Sequence, residues 1–121
     1  MRSESCDLGE TWSPVQRTDI PNPGSGLEVI RLASGNWLMV CNDTQDGRYR
    51  LAAMLSEDEG TSWPRRRYLE NDTPGQGSGS YSYPSVIQTQ DGTIDVSYSC
   101  GRAGLGSAVK HARFTEAWVQ V

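Results

Sequence analysis

The chain has 121 residues, with 15 acidic and 11 basic side chains and a formal net charge of −4. This length suits one ordinary domain, and no apolar run reaches the 18 or more residues that span a membrane. No basic run of the kind that binds nucleic acid is present. We therefore expect a mildly acidic protein that binds neither nucleic acid nor membranes. The absence of an apolar signal region predicts a cytoplasmic location.

The first element in chain order is a phrase that occurs twice. "SCDLGETW" covers Ser5–Trp12 and "SEDEGTSW" covers Ser56–Trp63. Repetition at a spacing of about 50 residues is typical of solenoids, propellers and arrays. The two copies share the pattern S-x-D-x-G-x-[ST]-W through Ser5, Asp7, Gly9, Thr11 and Trp12 and through Ser56, Asp58, Gly60, Ser62 and Trp63.

Each copy of the phrase predicts a self-contained turn. The serine hydroxyl and the aspartate carboxylate can accept hydrogen bonds from nearby backbone N–H groups. The glycine supplies the positive φ of a tight turn, and the tryptophan brings apolar surface back against a sheet. Asp7 and Asp58 are also candidate metal ligands or catalytic acids, but turn hydrogen bonding accounts for them. We expect a structural role and no metal site.

Short β-type runs bounded by glycine, asparagine, aspartate or proline follow the first phrase. A strand at Val15–Ile20 comes first, and a second set of runs predicts a four-stranded antiparallel meander. These four runs are Leu27–Leu32, Trp37–Asn42, Tyr49–Leu55 and Arg65–Glu70.

The pattern then restarts after a polar, glycine-rich loop at Asn71–Ser80. Three more strands are predicted at Ser85–Thr89, Thr93–Ser99 and Ser107–Phe114. Glu116–Val121 is predicted either to extend the third strand or to form a short fourth. The chain thus divides into an N-terminal phrase and strand (1–24), a complete four-stranded unit (25–72), a loop (73–83) and a three-stranded unit (84–121).

The three cysteines, Cys6, Cys41 and Cys100, are odd in number and lack CxxC spacing. Buried or free thiols are expected, and a zinc site is not. The sequence contains no motif for a cofactor, so none is expected.

The two phrases, together with "SYSYPSVIQTQDGTIDVSYSC" and "VKHARF", resemble the Asp-box (BNR) repeats in the C-terminal half of bacterial sialidase-like six-bladed propellers. The resemblance covers nearly the whole chain. It implies an all-β fold of antiparallel four-stranded β-propeller blades, with an Asp box between the third and fourth strands. About two blades would be present in one chain.

The resemblance also implies a set of site residues. Tyr83 is the first choice for the tyrosine nucleophile of such sialidases and Tyr81 the second. An arginine cluster would grip the substrate carboxylate, because guanidinium groups bind carboxylates bidentately. A core aromatic, a solvated arginine or a hydrogen-bonded structural histidine is the ordinary alternative at each position. The implied substrate-binding residues are Arg48, Arg102, Tyr81, His111 and Lys110.

The resemblance predicts a sialidase-like carbohydrate-binding propeller for acidic sugars such as sialic or uronic acids. Whether it hydrolyses them stays open, because the acid/base aspartate and the first arginine of the family are not evident and no glutamate is placed to activate Tyr83. Hydrolysis would require an acid and a nucleophile around one pocket. The alternative is a non-enzymatic propeller scaffold for protein or peptide binding.

The strand count predicts an assembly. A three-stranded unit leaves an unpaired edge, and the Val15–Ile20 strand of a neighbouring copy could complete it. Head-to-tail contacts repeated by rotation close a ring, so a cyclic homo-oligomer is expected. Three copies would give six blades, the usual number in the family that the chain resembles, so a trimer is favoured. Two or four copies would give four or eight blades, which are also within the known range.

Overall fold

A computed structural model describes residues 1–121. The chain forms two antiparallel sheets and one short helix, so the predicted all-β antiparallel class is confirmed. The two sheets do not close a ring within the chain, and no helix is long and apolar enough to cross a membrane. The first sheet contains β1 (Glu28–Arg31), β2 (Trp37–Cys41), β3 (Arg50–Ser56) and β4 (Arg65–Asn71) in that order. The second contains β5 (Gly79–Gln88), β6 (Thr93–Arg102) and β7 (Gly106–Thr115), followed by α1 (Glu116–Gln120).

The main core lies between the two sheets. Side chains alternate between the two faces of a strand, and in both sheets every second residue points into this core. Glu28 of β1 also accepts a hydrogen bond from the backbone N–H of Val86 in β5, at 2.7 Å. The core side chains include Leu38, Val40, Leu51, Ala53, Leu55, Tyr81, Val86, Ile94, Val96 and Tyr98.

A second, smaller cluster covers the opposite face of the first sheet. Met39, Cys41, Ala52 and Met54 are buried there, and Ile20 of the N-terminal segment packs against them. Strands β2 and β3 are therefore buried on both faces, which explains why their sequences are nearly continuous apolar runs. Burial raises the pKa of the Cys41 thiol to about 11.

The predicted strand Val15–Ile20 does not form. This segment has a single antiparallel bridge, between Arg2 and Gln16. Arg2 lies 51 positions before Ala53, and Gln16 lies 51 positions before Arg67. Ala53 and Arg67 form the equivalent antiparallel pair between β3 and β4. The first phrase thus reproduces the register of the second. Prolines 14, 21 and 23 remove backbone donors around the segment, and no further strand lies beside it to extend the pairing.

The prediction that Glu116–Val121 forms a strand is wrong, because residues 116–120 form α1. A strand would direct Trp118 and Val119 to opposite faces. In the helix both pack against the core. The Arg67 guanidinium lies 4.8 Å from the Trp118 ring centroid and donates a hydrogen bond to the Trp118 carbonyl oxygen at 2.9 Å. The chain after β7 therefore returns to the first sheet.

Strand β5 begins at Gly79, so the last residues of the predicted loop 73–83 belong to the sheet. The pairing of β5 with β6 shifts register between Ser82 and Ser85. Pro84 has no N–H to donate to a ladder, and bulges are among the places where a sheet tolerates proline. The bulge redirects Tyr83 away from the face on which Tyr81 lies.

Candidate functional site

The connections between strands fall at two ends of the sheets. We call the end that carries segments 42–49, 72–78 and 103–105 the loop end, and the end that carries the two repeated phrases the Asp-box end. At the loop end a backbone hydrogen bond joins the two sheets, because Tyr81 N–H of β5 donates to the Arg48 carbonyl oxygen at 2.8 Å. Within the first sheet, Asp72 N–H donates to the Tyr49 carbonyl oxygen at 3.1 Å. Side chains from both sheets therefore meet there.

At the Asp-box end, the turn hydrogen bonds of the second phrase satisfy its own carboxylate. The Ser56 hydroxyl donates to Asp58 Oδ1 at 2.8 Å and accepts from Gly60 N–H at 2.8 Å. The Ser62 hydroxyl donates to Asp58 Oδ2 at 2.6 Å. Donation from Ser62, and then from Ser56, lowers the pKa of Asp58 to about 2. The carboxylate is thus committed to holding the turn.

The first phrase forms the same bonds. The Thr11 hydroxyl and the Ser5 hydroxyl donate to Asp7 at 2.5 and 2.7 Å, and the bond from Thr11 contributes most to lowering the pKa of Asp7 to about 2. Gly9 and Gly60 have φ values of 93° and 81°, in the left-handed region.

The two tryptophans differ in their surroundings. Trp63 packs against the cluster around Met39 and Met54, as the sequence predicts. Trp12 is 63% exposed and belongs to neither core cluster, so the prediction that it packs against a sheet is wrong for this residue. Its indole N–H donates to the Gly9 carbonyl oxygen at 3.0 Å instead.

At the loop end, Tyr81 is the centre of a polar network. Its side chain is fully buried, and its hydroxyl donates to Asp72 Oδ2 at 2.9 Å. Arg102 donates to the Tyr81 hydroxyl oxygen at 3.3 Å and lies 3.5 Å from Asp72 Oδ2. The N–H of Gly79, followed by the Tyr81 hydroxyl, lowers the pKa of Asp72, whereas burial raises the pKa of Tyr81. At neutral pH the network therefore holds an ionised carboxylate, a protonated phenol and a guanidinium.

A second polar group lies beside this network. The Tyr98 hydroxyl donates to Glu70 Oε1 at 2.7 Å, and the Lys110 ammonium pairs with the same oxygen. Burial raises the pKa of Tyr98. The Lys110 nitrogen also lies 5.9 Å from the ring centroid of Tyr81. Lys110 is thus brought next to Tyr81, to which Arg102 also donates.

Tyr83 lies on the outside of the same end. Its side chain is 64% exposed and its φ is 53°, a region that non-glycine residues adopt at a cost. The Arg48 guanidinium lies 5.4 Å from the Tyr83 ring centroid. Gly26 lies against the ring edge, where a Cβ would come within 3.2 Å of a ring carbon. Strained residues cluster at functional sites, and this one carries an exposed aromatic ring.

His111 is not brought to these residues. The register pairs Lys110 with Tyr98 and His111 with Ser97, so neighbouring residues of β7 point to opposite faces. Lys110 faces the core side, whereas His111 lies on the outer face, with Nε2 2.7 Å from Asp95. Arg113 binds the same carboxylate at 3.0 Å.

Sequence reasoning missed several residues of the loop end. Asp72 lies in the polar segment Asn71–Ser80, which the sequence identifies only as a loop. Glu70 follows the "RRR" run and reads as a solvated strand residue. Asn42 ends an apolar strand, and an asparagine directly after an apolar run is the signal that could have identified it.

These features define an all-β protein with Asp-box turns at one end of its antiparallel sheets and a polar network at the other. The family model of the BNR repeat-like domain matches residues 1–96, and the chain belongs to this family. Comparison with curated proteins gives no significant match.

Proposed function

We propose that the two sheets are blades of a sialidase-like β-propeller and that the loop end binds an acidic sugar. The observation that carries this proposal is the contact between Arg48 and the exposed ring of Tyr83, at the same end as Arg102. Loop segments held by a rigid sheet are where binding residues concentrate.

The arginines provide the charge for a carboxylate ligand. Arg48 forms no hydrogen bond or ion pair through its side chain, so its guanidinium donors are available. Arg102 uses one nitrogen for Tyr81 and Asp72 and is about half exposed, which leaves its other donors free. Guanidinium–carboxylate pairs form two parallel hydrogen bonds and are stronger than neutral ones.

Tyr83 provides the apolar surface for the ring of a sugar. An aromatic face combined with a hydroxyl suits a ligand with both apolar C–H groups and polar substituents. Gly26 leaves space for the ring edge, and the bulge at Ser82–Ser85 turns the ring outward.

The arrangement favours binding over hydrolysis. Tyr81 has a carboxylate at 2.9 Å, as a nucleophile with its base requires, but its side chain is buried and its pKa is raised. Tyr83 is exposed, yet its hydroxyl forms no hydrogen bond to a carboxylate. Neither tyrosine combines exposure with an adjacent base. The same network instead supplies a fixed, charged wall for a bound sugar.

Isothermal titration calorimetry on the full chain would test this proposal, with N-acetylneuraminic acid and glucuronic acid as ligands and glucose as the neutral comparison. The two acids should bind more tightly than glucose. Arg48→Gln should weaken binding of the acids by about fivefold or more, because one charge-assisted pair is lost. Arg31→Gln, at an exposed position of β1, is the matched control and should change nothing.

Equal affinity for glucose and the acids, or an equal loss in the Arg31 and Arg48 variants, would contradict the proposal. Binding of neither acid would contradict it as well. Melting temperatures of both variants should stay close to that of the parent chain, because neither side chain makes a hydrogen bond.

A further inference from the structure

A second concave site lies at the Asp-box end, between the N-terminal segment and the first sheet. We call it the arginine cleft. Its volume is about 440 Å³. One wall is formed by Arg2 and residues 16–20, and the other by Arg66 and the turn of the second phrase. Neither Arg48 nor Tyr83 lines this cleft.

Basic side chains outnumber acidic ones among the residues that line the arginine cleft, and Glu4 and Asp43 pair with Arg2 and Arg66 from outside this lining. Three guanidinium groups line it, from Arg2, Arg17 and Arg66, against one carboxylate, from Asp19. Clefts lined by one sign of charge concentrate ions of the opposite sign. An anion is therefore the expected ligand.

Much of the hydrogen-bonding capacity of these arginines is unused. Arg17 forms no hydrogen bond or ion pair in the chain. Arg66 uses only Nη1, which donates to Asp43 Oδ2 at 3.0 Å. Arg2 uses Nη1 for the Gly60 carbonyl oxygen at 2.9 Å and Nη2 for Glu4. The hydroxyls of Thr18 and Thr61 also line the cleft and have no partner in the chain.

An apolar cleft of about 380 Å³ adjoins the arginine cleft. Ile20 and Trp63 line both clefts, and Leu27, Val29 and Met39 line only the apolar one. Leu27 and Val29 are substantially exposed there. A ligand that fills both clefts would have an anionic head group and an apolar body.

We infer that the arginine cleft binds the tetrahedral oxyanion of a phosphate or sulfate ester, with the apolar part of the ester in the adjoining cleft. Guanidinium groups and hydroxyls that approach from two walls suit an anion with three free oxygens, whereas a planar carboxylate presents two. The site is independent of the sugar site proposed for the loop end.

Calorimetry on the full chain with 4-nitrophenyl phosphate, 4-nitrophenyl sulfate, inorganic phosphate and 4-nitrophenol would test the inference. Both esters should bind about tenfold or more tightly than inorganic phosphate, because they also bury an aromatic ring. 4-Nitrophenol should not bind measurably. The comparison of the two esters tells which oxyanion the cleft prefers. Ester affinity should fall with added NaCl, because exposed charges are screened.

Two variants locate the ligand. Arg17→Gln should weaken both esters and inorganic phosphate by about fivefold or more without lowering the melting temperature, because Arg17 has no partner in the chain. Arg65→Gln is the matched control: Arg65 is exposed, adjacent to Arg66 and outside the cleft. Val29→Ser should weaken the esters and leave inorganic phosphate unchanged.

Equal effects of Arg17→Gln and Arg65→Gln would overturn the inference, as would binding of 4-nitrophenol at the affinity of its esters. A loss of ester binding in Arg48→Gln would also overturn it, since the ligand would then occupy the loop end. If the acidic sugars fail to bind while the esters still bind through Arg17, the proposed sugar site would be wrong and the arginine cleft would still be supported.

Discussion

The side-chain amide of Asn42 donates a hydrogen bond to the backbone carbonyl oxygen of Tyr81 at 3.0 Å. The same nitrogen donates to the carbonyl oxygen of Arg50 at 2.6 Å. Asn42 is fully buried. One amide therefore joins β3 of the first sheet to β5 of the second, directly beside the tyrosine on which the loop-end network depends.

Asn42→Asp should destabilise the fold by about 3 kcal/mol or more, because it removes both donors and places a carboxylate against two buried carbonyl oxygens. Chemical denaturation monitored by tryptophan fluorescence measures the change. Asn71→Asp, an exposed position at the end of β4, is the control and should cost little. Similar midpoints for the two variants would contradict the role of Asn42.

Gly60→Val should destabilise the protein more than Gly9→Val. Both glycines have positive φ, so each variant pays about 1–2 kcal/mol for the left-handed backbone. A Cβ at Gly60 would also lie 3.2 Å from the Trp37 ring, whereas at Gly9 the nearest neighbouring atom is 3.8 Å away. Equal losses in thermal denaturation would show that the contact with Trp37 adds nothing.

Trp63→Ala should cost about 2 kcal/mol, somewhat less than the ~3–5 kcal/mol of a fully buried aromatic side chain. Trp63 is partly buried against the cluster of Met39 and Met54. Trp12→Ala should cost less than about 0.5 kcal/mol, because that side chain is mostly exposed. Urea denaturation of the two variants compares the same residue type in the same turn, and a larger loss at Trp12 would reverse the assignment.

The Asp-box turns should make stability fall in acid. Hydroxyl and backbone donors lower the pKa of folded Asp58 to about 2 from an ordinary value of 3.8. The folded state therefore binds its proton less readily than the unfolded state, so this contribution is present above about pH 4 and is lost as the pH falls through about 2. Melting temperatures measured from pH 7 to pH 2 should decline over that window.

Asp58→Asn tests the source of the acid effect. The variant should melt below the parent chain at pH 7, and the difference should shrink as the pH approaches 2. Asp46→Asn, at an exposed loop position without side-chain hydrogen bonds, should run parallel to the parent chain. A constant difference for Asp58→Asn across the whole pH range would mean that its charge does not stabilise the turn.

The cyclic homo-oligomer stays a prediction, and the structure sharpens its test. Strand β7 has no partner on its outer edge, but Ile20 of the N-terminal segment packs on the first sheet of its own chain. Sedimentation equilibrium should give the mass of three 13.3 kDa chains if the favoured trimer forms. Deletion of residues 1–20 should abolish assembly and expose the cluster around Met39 and Met54. A soluble monomer at micromolar concentration, with or without this segment, would exclude the ring.

The strands and turns could be predicted because their signals are local. Continuous apolar runs specify β2 and β3, and alternating side chains specify β6, in each case bounded by turn residues and without reference to the rest of the molecule. Helix α1 could not be predicted in this way, since five residues have little helical preference of their own. Its conformation depends on the packing of Trp118 against Arg67, which lies 51 residues away in sequence.

At the loop end, too, the sequence predicts some features of the site, whereas others depend on the three-dimensional structure. The sequence identifies both Tyr81 and Tyr83 as candidates for the site. Because they are two positions apart, a regular strand would direct both side chains to the same face. The bulge between Ser82 and Ser85 separates them, so one is buried and the other exposed. The partner carboxylate of Tyr81, Asp72, comes from a polar loop whose residues carry no periodic signal.

The position of α1 has a consequence for how the molecule unfolds. The helix follows the second sheet in sequence but is anchored to the first, through Arg67 and through the Asn36 side-chain amide, which donates to Glu116 at 2.7 Å. Together with Asn42 at the opposite end, it links the sheets at two distant points. Neither sheet can then melt without releasing both links. Calorimetric and van't Hoff enthalpies should therefore agree, as expected for one cooperative folding unit.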